Sequence, residues 1–278
     1  LVRETVAAVK EAGGNPFIVP AMGSHGGATA EGQIDVLLQL GISEEAVGAP
    51  IRSSMEVIKL DELPNGLPVY IDKFAYESDK IIVINRIKPH TAFRGPVESG
   101  LMKMITIGLG KQKGAEAAHA YSFKYMAEHV PEMAKVSLSK APIIFGLASI
   151  ENAYDKPAKI VAVPAEDLEV VEPGLLLEAK SLMPKIHFDS MDVLIVNELG
   201  KDISGDGMDP NITGNFATPY ATGGPDVKRT VVLGLTEKTH GNANGIGMAD
   251  MTTKAVMNEI KWEKGYANAL TSTVTDVV

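Results

Sequence analysis

The chain has 278 residues, 45% of them hydrophobic and 22% charged, enough for two ordinary domains with a sizeable core and unlike a disordered or fibrous composition. A formal net charge of −9 gives no global field for a polyanion, and no local basic patch stands out, so no nucleic acid partner is expected. With zero cysteines there are no disulfides or thiolate metal sites, and any metal must use His, carboxylate or non-protein sulfur.

The longest apolar runs, such as Ile81–Ile84, fall far short of the roughly 20 residues a transmembrane helix needs. No signal-like segment opens the chain, so a cytoplasmic protein with no membrane partner is expected. Leu1–Ala12 has helical spacing at Val2, Val6 and Val9 and stops at Gly13-Gly14. It reads as a helix already under way, as in a chain truncated at its N-terminus. Pro16–Pro20 is a short strand-like run, and Met22–Gly27 a loop. Thr29 can cap a helix with Ile34, Leu37, Leu38 and Leu40 as its apolar stripe, ended by Gly41.

Ile51–Leu60 and Leu67–Ile71 predict a hairpin around Pro64-Asn65-Gly66. Lys80–Ile87 is β-branched and apolar on both sides, the pattern of an interior parallel strand. It delivers the chain into the loop Lys88–Gly100, followed by the apolar stretch Leu101–Leu109. Gly114–Lys135 reads as helix with a break or kink at Pro131. Pro142–Ile150 and Lys159–Val163 are strands, and Glu166–Leu182 is helical in its second half, interrupted by Pro173-Gly174. Asp192–Val196 and Arg229–Leu235 are further strands, set among Gly200–Gly214 and Gly241–Gly247, whose Gly, Asn and Asp content suits ligand loops. Thr271–Val278 has a β-like composition with no closing element. The expected fold is α/β, two domains with mostly parallel sheets and the site in the cleft between them. The boundary falls near Pro184–Asp189, giving units 1–185 and 186–278.

Four residues stand out in chain order. His25 lies in Gly23-Ser24-His25-Gly26-Gly27, where helix-start amides can hold an anion and Gly26 and Gly27 admit a ligand closely. His90 follows Pro89 on a stiffened loop at a strand end, with Arg86, Lys88 and Arg94 as cations that depress its pKa and attract a carboxylate. Lys103 is an isolated lysine in an apolar stretch, where an unpaired ammonium is expensive. His119 lies on a helix. Singly, each also has a structural explanation: a turn contact, a loop anchor, a snorkelling lysine, a half-exposed face. There is no His-Glu-x-x-His pair, no Walker A sequence and no Gly-x-Gly-x-x-Gly after the first strand. Gly205–Asp209 looks like an acidic calcium loop but lacks its ligand spacing and terminal Glu.

Together, in order and spacing, His25, Pro89-His90, Lys103 and His119 resemble the nickel-pincer lactate racemase family, most firmly over residues 16–125. The longer gap between His90 and Lys103 marks a divergent branch. The resemblance implies that Lys103 carries a covalently attached nickel-pincer nucleotide, a pyridinium thioamide/thiocarboxylate mononucleotide whose sulfur groups and ring carbon bind Ni. His119 is then the remaining nickel ligand, and His25 and His90 the acid/base pair on either side of the substrate. Gly26 and Gly27 would contact the cofactor. The implied activity is a racemase or epimerase of a small 2-hydroxy acid, an isomerase whose partners are that substrate and the cofactor-synthesis enzymes. The family's Asp-x-x-Arg substrate segment would precede Leu1, and Arg94 is the candidate to share carboxylate binding. The competing readings are a metal-dependent lyase or hydrolase that uses the histidines directly and a non-catalytic cofactor-binding protein.

Overall fold

In the computed structural model, residues 1–266 are described; the β-like run Thr271–Val278 lies outside them. The chain opens with α1 (Val2–Glu11), which seats Val6 against Val47 and Ala49. Pro16–Pro20 contributes one parallel bridge, Ile18 to Ile51, rather than a strand. Helix α2 (Ala30–Gln39) is capped as expected, the Thr29 hydroxyl accepting from Gly32 N–H at 3.0 Å. Its buried face differs from the expected stripe, however: Gln33 and Leu37 are buried, while Leu38 and Leu40 are exposed. A short α3 (Glu44–Val47) follows.

The predicted hairpin forms as β1 (Val57–Glu62) and β2 (Pro68–Asp72), an antiparallel pair, with Gly66 at φ +83° in the turn. After α4 (Lys73–Tyr76) comes β3 (Ile81–Arg86). Helix α5 (Leu101–Lys103) then runs into a π-turn, Met104–Gly108, and α6 (Lys111–His119) and α7 (Met126–Lys140) follow. The break falls between α6 and α7, where Ser122 takes φ +61°, and Pro131 lies inside α7.

Strands β4 (Ile143–Glu151) and β5 (Pro157–Pro164) complete a sheet ordered β3-β4-β5, with β3 parallel and β5 antiparallel to β4. The parallel pairing of β3 agrees with its composition, but it is an edge strand, not an interior one. Helix α8 (Leu168–Leu182) runs unbroken through Pro173-Gly174. A second sheet joins β6 (Ser190–Val196), β7 (Asp226–Val232) and β8 (Met251–Thr252), all parallel. Helix α9 (Pro210–Thr213) lies in the connection from β6 to β7, and α10 (Lys254–Glu259) follows β8. Among the described residues, three of the five ladders are parallel, so the fold is α/β with mostly parallel pairing.

Two large apolar clusters sit under the first sheet and the hairpin. One gathers Leu101, Ile105, Ile143, Ile150 and Leu168, the other Phe93, Met102, Phe123, Met126 and Met133. The α5 turn contributes to both, because Leu101, Met102 and Ile105 are all fully buried. At about 1.5–3 kcal/mol for each large apolar side chain buried, this packing outweighs the cost of placing a lysine in the same turn. A smaller cluster, Leu199, Met208, Val232, Leu235, Ala243 and Val256, supports the second sheet.

Candidate active site

Lys103 is half-buried on α5, pinned between buried Met102 and Ile105. Among the described residues its Nζ has no hydrogen-bond or ion-pair partner. Burial first and the charge of Lys88 second lower its pKa to about 8, against an opposing pull from Asp206. An amine this close to neutrality is a usable nucleophile, which an ordinary surface lysine is not.

His90 stands at the mouth of the loop after β3. Its backbone N–H donates to Glu98 Oε2 at 2.8 Å, and its Nδ1 accepts from Ala92 N–H at 3.0 Å. The neutral ring therefore carries its proton on Nε2. The ring lies 4.5 Å from Phe93 and 5.9 Å from Phe123. Burial, followed by Lys103, His119, Lys88 and Arg94, holds His90 well below the usual imidazole range.

His119 ends α6, and Phe123 meets it edge-on at 5.5 Å. Its Nδ1 is 2.7 Å from the Ala115 carbonyl; donation from Nδ1 leaves Nε2 with a free lone pair, the arrangement of a metal-binding imidazole. Burial lowers its pKa, the Ala115 carbonyl raises it and Lys103 lowers it.

His25 is the most open of the three imidazoles. Desolvation by the surrounding protein lowers its pKa, and the charges of Lys103 and then Lys201 lower it further. Gly26 and Gly27 both take positive φ, and the loop is pressed onto α2: a Cβ on Gly32 would lie 1.9 Å from the Gly26 carbonyl oxygen. Only glycine fits there. The four residues singled out from the sequence thus share one electrostatic neighbourhood, with Lys103 acting on all three imidazoles.

Arg94, the candidate for the carboxylate contact, has its guanidinium engaged within the chain. Its Nη1 donates to the His90 carbonyl at 2.6 Å, the Phe93 carbonyl at 3.1 Å and Glu98 at 3.3 Å. Its Nε reaches Thr222 O at 2.9 Å and its Nη2 reaches Asn211 Oδ1 at 2.5 Å. It straps the His90 loop to the segment 211–222, joined there by Thr218 donating to the Ala92 carbonyl. A groove of about 750 Å³ beside this strap is lined by Arg94, Lys180, Met183, Phe188 and Asn211 among others, and contains none of the four residues.

Three contributors escaped sequence reasoning. Lys201 acts on His25, and Asp206 on Lys103 and Lys88; both lie in Gly200–Gly214, which composition marked only as a ligand loop. Glu172, buried on α8, accepts from Met102 N–H at 2.9 Å at the start of the turn that bears Lys103. A Cβ at Gly100 would meet its Oε1 at 2.1 Å. Burial raises its pKa to about 7, with the Met102 and Leu101 amides opposing. The remaining histidines stay apart: His129 meets Asn65 Nδ2 at 3.1 Å and packs with Tyr121 and Tyr125, and His187 and His240 are exposed.

Residues 1–130 match the family model of the lactate racemase N-terminal domain. No curated protein matches the chain in sequence. Among solved structures, the lactate racemase apoprotein from Thermoanaerobacterium thermosaccharolyticum is similar, with a TM-score of 0.50 and 15% identity over 84% of this chain. The chain spans 57% of that protein's length, and at this identity the likeness concerns the fold. The family match falls on the segment that carries His25, His90, Lys103 and His119, so it is this part of the chain that is similar to the lactate racemase N-terminal domain.

Proposed function

We propose that the chain is a racemase or epimerase of a small 2-hydroxy acid. In this reading residues 1–185 carry the cofactor and histidines, residues from 186 onward supply ligand loops, and the site lies between the two units. The observation that carries the reading is that Lys103, without a hydrogen-bond or ion-pair partner among the described residues, acts on the charge of three imidazoles, two of which share the Phe123 ring as a neighbour. The donor set suits a tethered metal group. Among the described residues no cluster of three or more His, Asp or Glu could hold a metal by protein ligands alone. A single imidazole with a free Nε2 near a reactive lysine matches a metal whose other ligands arrive on a lysine-bound group. Lys103 would carry the nickel-pincer nucleotide, His119 would bind the nickel, and the Gly26 and Gly27 loop would face an anionic part of the nucleotide. When bound, that group supplies a reversible two-electron acceptor for the substrate's α-hydrogen.

The chain's own residues do the rest. Lys88 and Lys201 lend positive charge to the site, which favours a carboxylate substrate. His25 or His90 takes the proton from the 2-hydroxyl oxygen, leaving a planar 2-keto acid. The histidine on the opposite side returns a proton to that oxygen as the α-hydrogen comes back on the other face, with no net oxidation. Both rings are held neutral as bases while Lys103 is charged. Conversion of its amine to a covalent link would remove the leading cation from each, which raises both imidazoles against the burial that lowers them first. Arg94 positions the His90 loop. The reading places the protein in the cytoplasm, with the cofactor-synthesis enzymes as partners.

The test is co-expression with those enzymes, followed by intact mass, peptide mapping and a panel of chiral 2-hydroxy acids in deuterated water. The expected result is an adduct of nucleotide size on Lys103 and interconversion of one enantiomeric pair without deuterium at the α-carbon. Bare Lys103 with bound zinc would instead favour a metal-dependent lyase or hydrolase. An adduct with no turnover of any acid would favour a cofactor-binding protein.

A further inference from the structure

Three polar side chains with no solvent exposure, Gln33, Asp72 and Lys111, lie behind the site and take no part in the chemistry above. Lys111 follows the π-turn that begins beside Lys103, and it adopts φ +54°, a left-handed conformation disfavoured for a side chain of this size. Its Nζ donates to the Pro20 carbonyl and to Gln33 Oε1 at 3.0 Å, and lies 3.4 Å from Asp72 Oδ2. Asp72 in turn caps α4 through Ala75 N–H at 2.9 Å. Gln33 completes the chain by donating from Nε2 to the Gly23 carbonyl at 2.8 Å and the His25 carbonyl at 3.3 Å. The carbonyls of Pro20, Gly23 and His25, spanning the whole loop, are thereby drawn inward to one buried amide and one buried ammonium. The π-turn touches the same loop directly: Gly23 N–H donates to the Gly108 carbonyl at 3.2 Å, and a Cβ on Gly108 would meet the Ala21 carbonyl oxygen at 2.7 Å.

A buried ion pair contributes little net stability compared with an apolar replacement, so its retention here calls for a geometric reason. We infer that Gln33, backed by Lys111 and Asp72, is a positioning residue that fixes the His25 loop against the turn bearing Lys103, setting the distance between proton carrier and tether. The inference rests on the reading of His25 as a proton carrier. Its amide does what no single apolar or carboxylate side chain can do, accepting from Lys111 with the oxygen while donating to two carbonyls with the nitrogen.

The test compares Gln33→Met, a neutral replacement of similar volume, with Leu37→Ala, which removes a buried apolar side chain from the same helix without touching the loop. The readout in the full chain without cofactor is the NMR titration of the His25 ring, assigned with His25→Asn. With the loop released from Lys103, the His25 midpoint rises by about half a pH unit or more in Gln33→Met, and it stays at the wild-type value in Leu37→Ala. In loaded enzyme, kcat falls at least about tenfold with KM within about twofold for Gln33→Met. Should Gln33→Met not fold, Gln33→Asn takes its place, too short to span Lys111 and both carbonyls. Equal His25 midpoints in wild type, Leu37→Ala and the Gln33 variant would overturn the inference. If no 2-hydroxy acid is racemised by the loaded wild type, the functional reading falls, while the titration still decides the joint.

Discussion

The two three-stranded sheets are supported very differently. In the first, β4 alternates toward a core that holds Ile143, Ala148 and Ile150, and α5 and α8 pack over it. In the second, all pairs are parallel, yet β6 has no fully buried residue, and Val193, Ile195, Leu233 and Met251 are exposed. Parallel sheets ordinarily bury both faces. The first region is therefore a packed floor able to hold reactive groups in place, whereas the second presents loops, bringing Lys201, Asp206 and Asn211 to that floor.

The largest expected effect tests the floor itself. Ile105 is fully buried beside Lys103 and Ile195 is 58% exposed. Ile105→Ala should cost about 2–5 kcal/mol in urea unfolding, and Ile195→Ala should stay within about 0.5 kcal/mol; similar losses would erase the contrast. Next comes Glu172. Its carboxyl titrates at about 7 in the folded chain against an ordinary 4.5. The unfolded state therefore releases this proton first, and stability falls as pH rises through that window. The full shift corresponds to about 3 kcal/mol. E172Q, which keeps an acceptor for Met102, should show no such loss between about pH 5 and about pH 8 when unfolding free energies are compared with wild type.

The strap between the regions is weaker. Arg94→Lys removes the fork that reaches Asn211 and Thr222 together, with an expected cost of about 1–3 kcal/mol and faster amide exchange around Tyr220, whose carbonyl accepts from Arg94 N–H. Unchanged exchange there would mean that the regions are held by other contacts. The smallest effect is electrostatic. Lys103→Met removes the leading cation acting on His25 and His90, so both rings should titrate higher by NMR. A shift in His90 alone would separate His25 from the site.

What was legible in the sequence follows the range of the interactions. The Thr29 cap, the Asn65-Gly66 turn and the parallel strand that launches His90 depend on near neighbours and all form, although that strand lies at the edge of its sheet and not inside it. His25, Lys103 and His119 each sit at the end or start of an element and His90 in the loop after β3, positions that a local reading reaches. Pro131 and Pro173 misled because a missing N–H costs about 3 kcal/mol, while α7 buries Val130, Met133 and Ala134, and α8 buries Leu175, Leu176 and Ala179, which offsets it. Gln33 and Glu172 carry no sequence signal that sets them apart from other polar helix residues. Their burial depends on Gly23 and Gly100, 10 and 72 residues away, and no local pattern encodes such an approach. Arg94 was rightly placed near His90, but its acceptors at 211 and 222 lie beyond any sequence window.

Phe123 packs against both His90 and His119. One aromatic side chain thus serves as a shared wall for two of the site's imidazoles. Under the proposed function, a ring of fixed volume there would limit how closely the two imidazoles approach and so keep His90 from becoming a second ligand to an ion held by His119. The same wall repels water from the space beside both rings, where a stray proton donor would compete with the histidines. Under the proposed function, the division of labour between two chemically identical side chains would rest on a residue that has no polar atom beyond its backbone.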